Sequence, residues 1–284
     1  MIFDKKYCDL HTHSCFSDGT DTPAQIIEAA EKLKLTHVAL CDHNTVDGLP
    51  EFVLSARNKN IEAVAGIELS TDYGSTELHL LGLFLPHDRL RSVADFVKES
   101  NRLKEQSNIR MIESLKKAGF NLDYDKIKAT TPNGMVNRSH VADYMLAHKM
   151  ITSKVKAFET ILSPEAGHYV EPKRPDIWEV LEFLKFLNAA PILAHPLINL
   201  NYKELYEFLE KAKDCGLLGL ECHYSLYSPS DTKIMMTLVE HFGLLPSGGS
   251  DYHGKAKPDI YLGKGKGKLC IPSKFAENIK HKLM

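Results

Sequence analysis

The sequence lacks the features of a membrane protein, a disulfide scaffold or a polymer-binding protein. No apolar run approaches the roughly 18 to 20 residues of a membrane-spanning helix. The opening MIFDKKYCDL has no apolar stretch of the kind a signal peptide needs. Six cysteines (Cys8, Cys15, Cys41, Cys215, Cys222 and Cys270) form no C-x-x-C pair. Cys41 and Cys222 fall in apolar strand-like runs, where a buried free thiol is expected. These absences point to a reduced, cytoplasmic protein with no membrane partner. Neither sign of charge dominates: 35 basic and 37 acidic side chains leave a formal charge of −2. No global positive field therefore favours long duplex nucleic acid. A small anionic ligand would have to be drawn in by local cations. There is no internal repeat, and the Gly-Lys alternation at 263–268 is too short to be more than a loop.

What the chain does have is histidine, fourteen in 284 residues, set in a regular frame. Strand-like and helix-like segments alternate over the first ninety residues. A strand at 6–11 is followed by a helix at 23–34, with Thr22 able to cap it and Pro23 in its first turn. Strands at 37–41 and 63–69 flank a helix near 49–60, and a turn at 73–75 implies a hairpin with 78–85. Residues 91–165 read almost entirely as helix, with a break at Gly119. Strand–helix alternation then resumes to residue 246. This pattern implies an α/β barrel formed by 1–90 and 166–284, with 91–165 as an inserted helical subdomain expected over one barrel mouth.

The candidate ligands sit where the apolar strand runs end. Asp9, His11 and His13 are spaced by two and point to one side of an extended segment. Asp18 follows in FSDG. VALCDHN ends in Asp42 and His43, AVAGIELS in Glu68, and TELHLLG carries His79 just past the turn. PILAHP ends in His195, GLECHY in Glu221 and His223, and PSGGSDYHG in Asp251 and His253. A lone His-x-His or His-Pro is weak evidence, since polar residues also solvate loop starts and cap helices. Acids and histidines at five or six successive strand ends go beyond that. In a barrel those ends share one face, and imidazole with carboxylate suits manganese, iron or zinc.

DLHTHSCFSDG, CDHN, GIELS, HLLG, AHP and GSDYHG resemble the successive motifs of the PHP (polymerase and histidinol phosphatase) family, over residues 8 to about 272. The pattern is similar to its stand-alone phosphoesterases acting on nucleoside 3′,5′-bisphosphates and short oligoribonucleotides. The resemblance implies a distorted (β/α)7 TIM-like barrel and two or three divalent ions. It assigns His11, His13, Glu68 and Asp251 to a first metal. Glu68 would bridge to a second, completed by His79 and His195. Asp18, His43 and His253 would hold a third. Asp18, His43, Glu68 and His253 would act catalytically through the metals, with Asp42 orienting ligands from behind. Glu221 and His223 match no ligand position and are expected at the strand end or substrate rim. Ser14, Cys15 and Ser17 are expected to be loop residues.

The implied chemistry is hydrolysis of a phosphate monoester by a metal-activated hydroxide. The implied partner is a small phosphorylated metabolite, a nucleotide or a short RNA. Arg138 and His140, in NRSHVADYM, are the implied substrate contacts. The chain departs from the pattern in RLKEQSNIR, where only Arg102 and Arg110 stand instead of closely spaced arginines. Three alternatives remain: a phosphatase for another metabolite such as histidinol phosphate, an amidohydrolase-type metalloenzyme, and a non-catalytic metal-binding module.

Overall fold

The computed structural model describes residues 6–131 and 136–284. The first five residues, part of the stretch read above for a signal peptide, lie outside the described residues. The order of the first half is β1 (Tyr7–Thr12), α1 (Pro23–Lys32), β2 (His37–Leu40), α2 (Leu49–Ser55), β3 (Glu62–Tyr73) and β4 (Thr76–Leu83). Helices α3 (Leu90–Lys117), α4 (Tyr124–Ala129), α5 (Arg138–Ala147) and α6 (Lys154–Glu159) follow. The chain continues with α7 (Ile177–Phe186), β5 (Ala190–Ala194), α8 (Tyr202–Ala212), β6 (Gly219–Tyr224), α9 (Pro229–Phe242) and β7 (Leu245–Gly249). It ends in β8 (Ile271–Pro272) and α10 (Lys274–Leu283). Among the described residues no helix is long and apolar enough to cross a membrane.

Local chemistry explains several of these starts. Thr22 Oγ1 accepts the Gln25 N–H at 3.2 Å while Gln25 Oε1 accepts the Thr22 N–H at 2.8 Å, a reciprocal cap that fixes where α1 begins. β2 and β5 are buried at every position, as expected of central strands covered on both faces. Cys41 and Cys222 are indeed buried and unpaired.

The strands form one sheet in the order β7-β6-β5-β4-β3-β2-β1-β8. β1, β2 and β3 run parallel, as do β5, β6 and β7. β4 is antiparallel to both neighbours. The expected hairpin joins β3 and β4, with Tyr73 opposite Thr76 and Gly74 at φ +61° in the tight turn. β3 does not end at Glu68, however. It runs five residues past it into the hairpin arm.

Closure depends on the approach of β7 to β1. The Asp251 N–H donates to His11 O at 2.9 Å and the His13 N–H to Tyr252 O at 2.8 Å. Gly249 permits it, because a Cβ there would lie 2.1 Å from the His11 Cβ. Nearer the start of β1, the two-residue β8 pairs with Tyr7 and Cys8 and fills the remaining edge. The apolar core beneath includes Leu10, Ala39, Val64, Leu81 and Ile192, and α10 contributes Phe275, Ala276 and Ile279 to it.

The chain divides into two compact units, Met1–Asp95 with Pro175–Met284, and Phe96–Arg174. The second has its own core, which includes Met111, Leu115, Ile127, Val141 and Met145.

Gly249→Ala should force β7 away from β1. Thermal unfolding is expected to show a loss of about 1–3 kcal/mol, the usual cost of overpacking a tight site. An unchanged midpoint would mean that the closure tolerates a side chain.

Candidate metal centre

Nine side chains converge at one end of the barrel. Glu68 is the hub. Its Oε1 lies 2.8 Å from His79 Nδ1 and 3.0 Å from His195 Nε2. Its Oε2 lies 3.0 Å from His43 Nδ1, 3.3 Å from His13 Nε2 and 3.4 Å from His11 Nε2. Asp251 Oδ1 faces His13 Nε2 at 3.3 Å and His253 Nδ1 at 3.4 Å, and Asp18 Oδ1 faces His253 Nε2 at 3.2 Å.

Four sets of donor atoms lie close enough to share an ion. They are His13, Asp18, His43 and His253; His11, Glu68 and His195; His11, His13 and Asp251; and His43, Glu68 and His79. All nine residues read as ligands from the sequence occur in these sets. His43 belongs to two of them, reaching Glu68 as well as Asp18.

The route to this face is not uniform. His195 follows β5 in a backbone conformation of φ 27° and ψ 48°, unusual for a residue with a Cβ. His79 lies on β4, the antiparallel strand, so the first half of that strand, rather than its C-terminus, meets the cluster. Asp9 does not join, although it alternates with His11 and His13. Its carboxylate accepts from Ser250 N–H (2.8 Å), Ser250 Oγ (2.5 Å) and Gly263 N–H (2.7 Å), clasping β1 to the loops after β7.

The electrostatics suit cations. Burial alone would push the Glu68 carboxyl up, but His43, His79 and His11 hold it well below the usual range. Asp18 and Asp251 are likewise held down, against burial, by His253 and, respectively, by His43 and Lys257. Burial pushes His13 well below the ordinary imidazole range, helped by His253 and His43, which leaves the neutral form that ligates metals. Burial also opposes charge on His79, yet Glu68 and Glu77 outweigh it and push that imidazole up to about 10. A proton there stands in for the cation that Glu68 attracts. His11 Nε2, both His13 nitrogens, His253 Nε2 and Glu68 Oε2 are buried without a hydrogen bond. Each such atom costs about 1–3 kcal/mol unless another partner satisfies it. Divalent ions held by these donors would be that partner, so the residues fit a metal cluster.

A supporting layer surrounds them. Asp42 accepts from Ser14 N–H at 2.7 Å and from the Ser14 and Ser17 hydroxyls at 2.6 Å. It therefore holds the loop that presents Asp18, and its hydrogen bonds go to that loop rather than to an imidazole. Glu221, expected at the strand end or substrate rim, is buried behind the cluster. Its Oε1 lies 3.1 Å from His11 Nδ1 and its Oε2 accepts the His195 N–H at 2.8 Å. His223 should share its face by strand alternation, but a register shift between the two turns it away. It packs edge-on against Phe275, 5.4 Å between ring centres. Lys257 and Tyr224, missed in the sequence, reach Asp251 Oδ2 at 2.7 and 3.0 Å. The only cue to Lys257 is its place just after SDYHG.

Arg138 and His140 belong to the other unit, in the first turn of α5. The Arg138 guanidinium lies 4.3 Å from the centre of the Tyr169 ring. His140 Nδ1 accepts the Asn137 N–H at 3.2 Å and completes the helix cap. Each therefore has a local structural task.

The PHP domain family model matches residues 9–171. A 5′-3′ exoribonuclease of Haemophilus influenzae is 29% identical over 250 residues, 88% of this chain and 90% of that one. A 3′,5′-nucleoside bisphosphate phosphatase of Chromobacterium violaceum is 24% identical over 268 residues, 93% of this chain and 94% of that one. Among solved structures, a Bifidobacterium adolescentis protein described as a metal-dependent phosphoesterase superposes with a TM-score of 0.85 at 26% identity, covering 98% of this chain and 96% of that one.

Because Glu68 meets five imidazoles and His43 meets two carboxylates, Glu68→Gln should strip more bound manganese than His43→Ala. Elemental analysis after gel filtration measures this. Equal losses would contradict the central position of Glu68.

Proposed function

The chain belongs to the PHP domain family, and from that premise we propose that this metal-dependent phosphoesterase removes phosphate from nucleotides. Its substrates are 3′,5′-bisphosphates such as adenosine 3′,5′-bisphosphate, or short oligoribonucleotides. The observation that carries the reading is the buried hub of Glu68 among five imidazoles, with orphaned ring nitrogens around it. Support for the nucleotide class comes from the relatives named for exoribonuclease and nucleoside bisphosphate phosphatase activity.

In this reading His11, His13, Asp18, His43, Glu68, His79, His195, Asp251 and His253 hold two or three divalent ions such as manganese, iron or zinc. When bound, the ions neutralise phosphate charge and lower the pKa of a water toward neutrality. The chain's own part is positioning. Glu68 sets the spacing of the donor sets from one buried carboxylate. Glu221 orients His11 through Nδ1 and anchors the strained His195 backbone, a supporting contact of the kind that fixes ligand geometry. Asp42 holds the Ser14–Ser17 turn so that Asp18 faces His253. His11, His13, Glu68, His195, Asp251 and His253 are buried, so ions held there would act in a setting where electrostatic stabilisation is stronger than in bulk water. The amidohydrolase alternative would call for a modified lysine at the bridging position, and Glu68 occupies that place.

Arg138 and His140 are the proposed substrate contacts from the inserted unit, away from the phosphate that is cleaved. Arg138→Ala should cost about ten- to a hundred-fold in kcat/KM on adenosine 3′,5′-bisphosphate, the loss of one charge-assisted contact. The loss on p-nitrophenyl phosphate should be far smaller, since that ester has no second phosphate. Equal loss on both would assign Arg138 to the fold, through its stacking on Tyr169. No loss on either would leave it without a part in binding.

A further inference from the structure

Glu77 and His79 alternate along β4, so both side chains lie on the face that meets the cluster. Glu77 Oε1 lies 3.2 Å from His79 Nε2, while His79 Nδ1, across the ring, lies 2.8 Å from Glu68 Oε1. An ionised carboxylate can only accept, so the Glu77 contact requires a proton on Nε2. That leaves Nδ1 as the nitrogen turned toward the hub. His11 and His253 are braced the other way round. His11 meets Glu221 and His253 meets the Asp251 carbonyl through Nδ1, and each presents Nε2 to a carboxylate of the cluster.

Glu77 is itself held in place. It pairs across the hairpin with Asp72, and its carbonyl accepts from Asn199 Nδ2 at 2.5 Å. Asn199 lies four residues after His195, so one residue of β4 meets the ring of one candidate ligand and the loop that carries another. A carboxylate that only met solvent would have no need of a cluster imidazole, and the Glu77 side chain is only 28% exposed.

We propose that Glu77 is a positioning residue for a divalent ion: by holding the proton on His79 Nε2 it fixes the ring and reserves Nδ1 as the ligating atom. The proposal rests on the reading of His79 as a metal ligand. A carboxylate behind a ligating imidazole sets its tautomer and orientation and raises its basicity, and losing such a partner weakens metal binding roughly ten- to a hundred-fold.

The test titrates manganese into protein stripped with EDTA and follows the electron paramagnetic resonance signal of the free ion. This counts the sites and gives their dissociation constants without turnover. His79→Ala removes the ligand itself and should lose one ion per chain. Glu77→Ala should bind one ion about ten-fold more weakly than the parent, with the others unchanged. Glu77→Gln, whose amide oxygen can still accept from Nε2, should fall between the two. Parent-like affinities in Glu77→Ala would overturn the positioning role, and so would a uniform weakening of every ion, which is what damage to the fold would give. Should Glu77→Ala fail to fold, Glu77→Gln carries the test: weakening of one ion alone supports the role, and parent-like affinity at every ion overturns it. If His79→Ala binds as many ions as the parent, His79 is no ligand and the proposal falls with that reading. If His79→Ala loses an ion and the Glu77 variants match the parent, the ligand reading stands and Glu77 alone loses its role.

Discussion

A carboxylate with no solvent exposure, ringed by five imidazoles, is the constraint on which the rest of this structure depends. Burying a charge costs several kcal/mol unless it is paired, and neutral imidazoles repay little of that. In the protein alone, protons on His79 and His11 offset part of the cost. Cations offset more, and they also satisfy ring nitrogens that otherwise have no hydrogen bond. The surrounding architecture can be read as what holds these groups in place despite their cost. Glu221 fixes one imidazole and one strained backbone, Asp42 fixes the Asp18 loop, and Asp9 clasps the strand that carries His11 and His13.

That burden explains features of the barrel that an unspecialised α/β sheet would not need. The close approach at Gly249 brings the Asp251 and His253 loop against β1. The hairpin extends β3 beyond Glu68 and sends β4 back antiparallel, so that His79 arrives from the opposite chain direction. With β4 reversed, residues distant in sequence reach one face by two different geometries. The helical insertion between β4 and α7 has a core of its own.

Much of the site was legible because strand ends leave a plain signature: an apolar run closed by a histidine or an acid. That signature flags a wider group of acids and histidines, and it is the resemblance to the PHP motifs that singles out the nine that converge, among them Asp18 in a loop and His79 within β4. The signature failed where the local backbone departs from ideal alternation. Asp9 shares the spacing of His11 and His13, but three donors from the loops after β7 claim its carboxylate. Glu221 and His223 look equivalent by a period of two, and a register shift sends one behind the cluster and the other against Phe275. Lys257 lies in an irregular segment with no periodicity to read, so only folding shows its contact with Asp251. The sequence alone does not tie the C-terminal helix to the barrel, because its apolar residues, Phe275, Ala276 and Ile279, acquire meaning only against the core that they complete.

Elemental analysis of the purified protein, paired with an assay before and after treatment with EDTA, bears most directly on the central claim. The account expects two or three transition-metal ions per chain and hydrolysis of phosphate esters that chelation abolishes and manganese restores. Less than one ion per chain, with activity that survives EDTA, would contradict it.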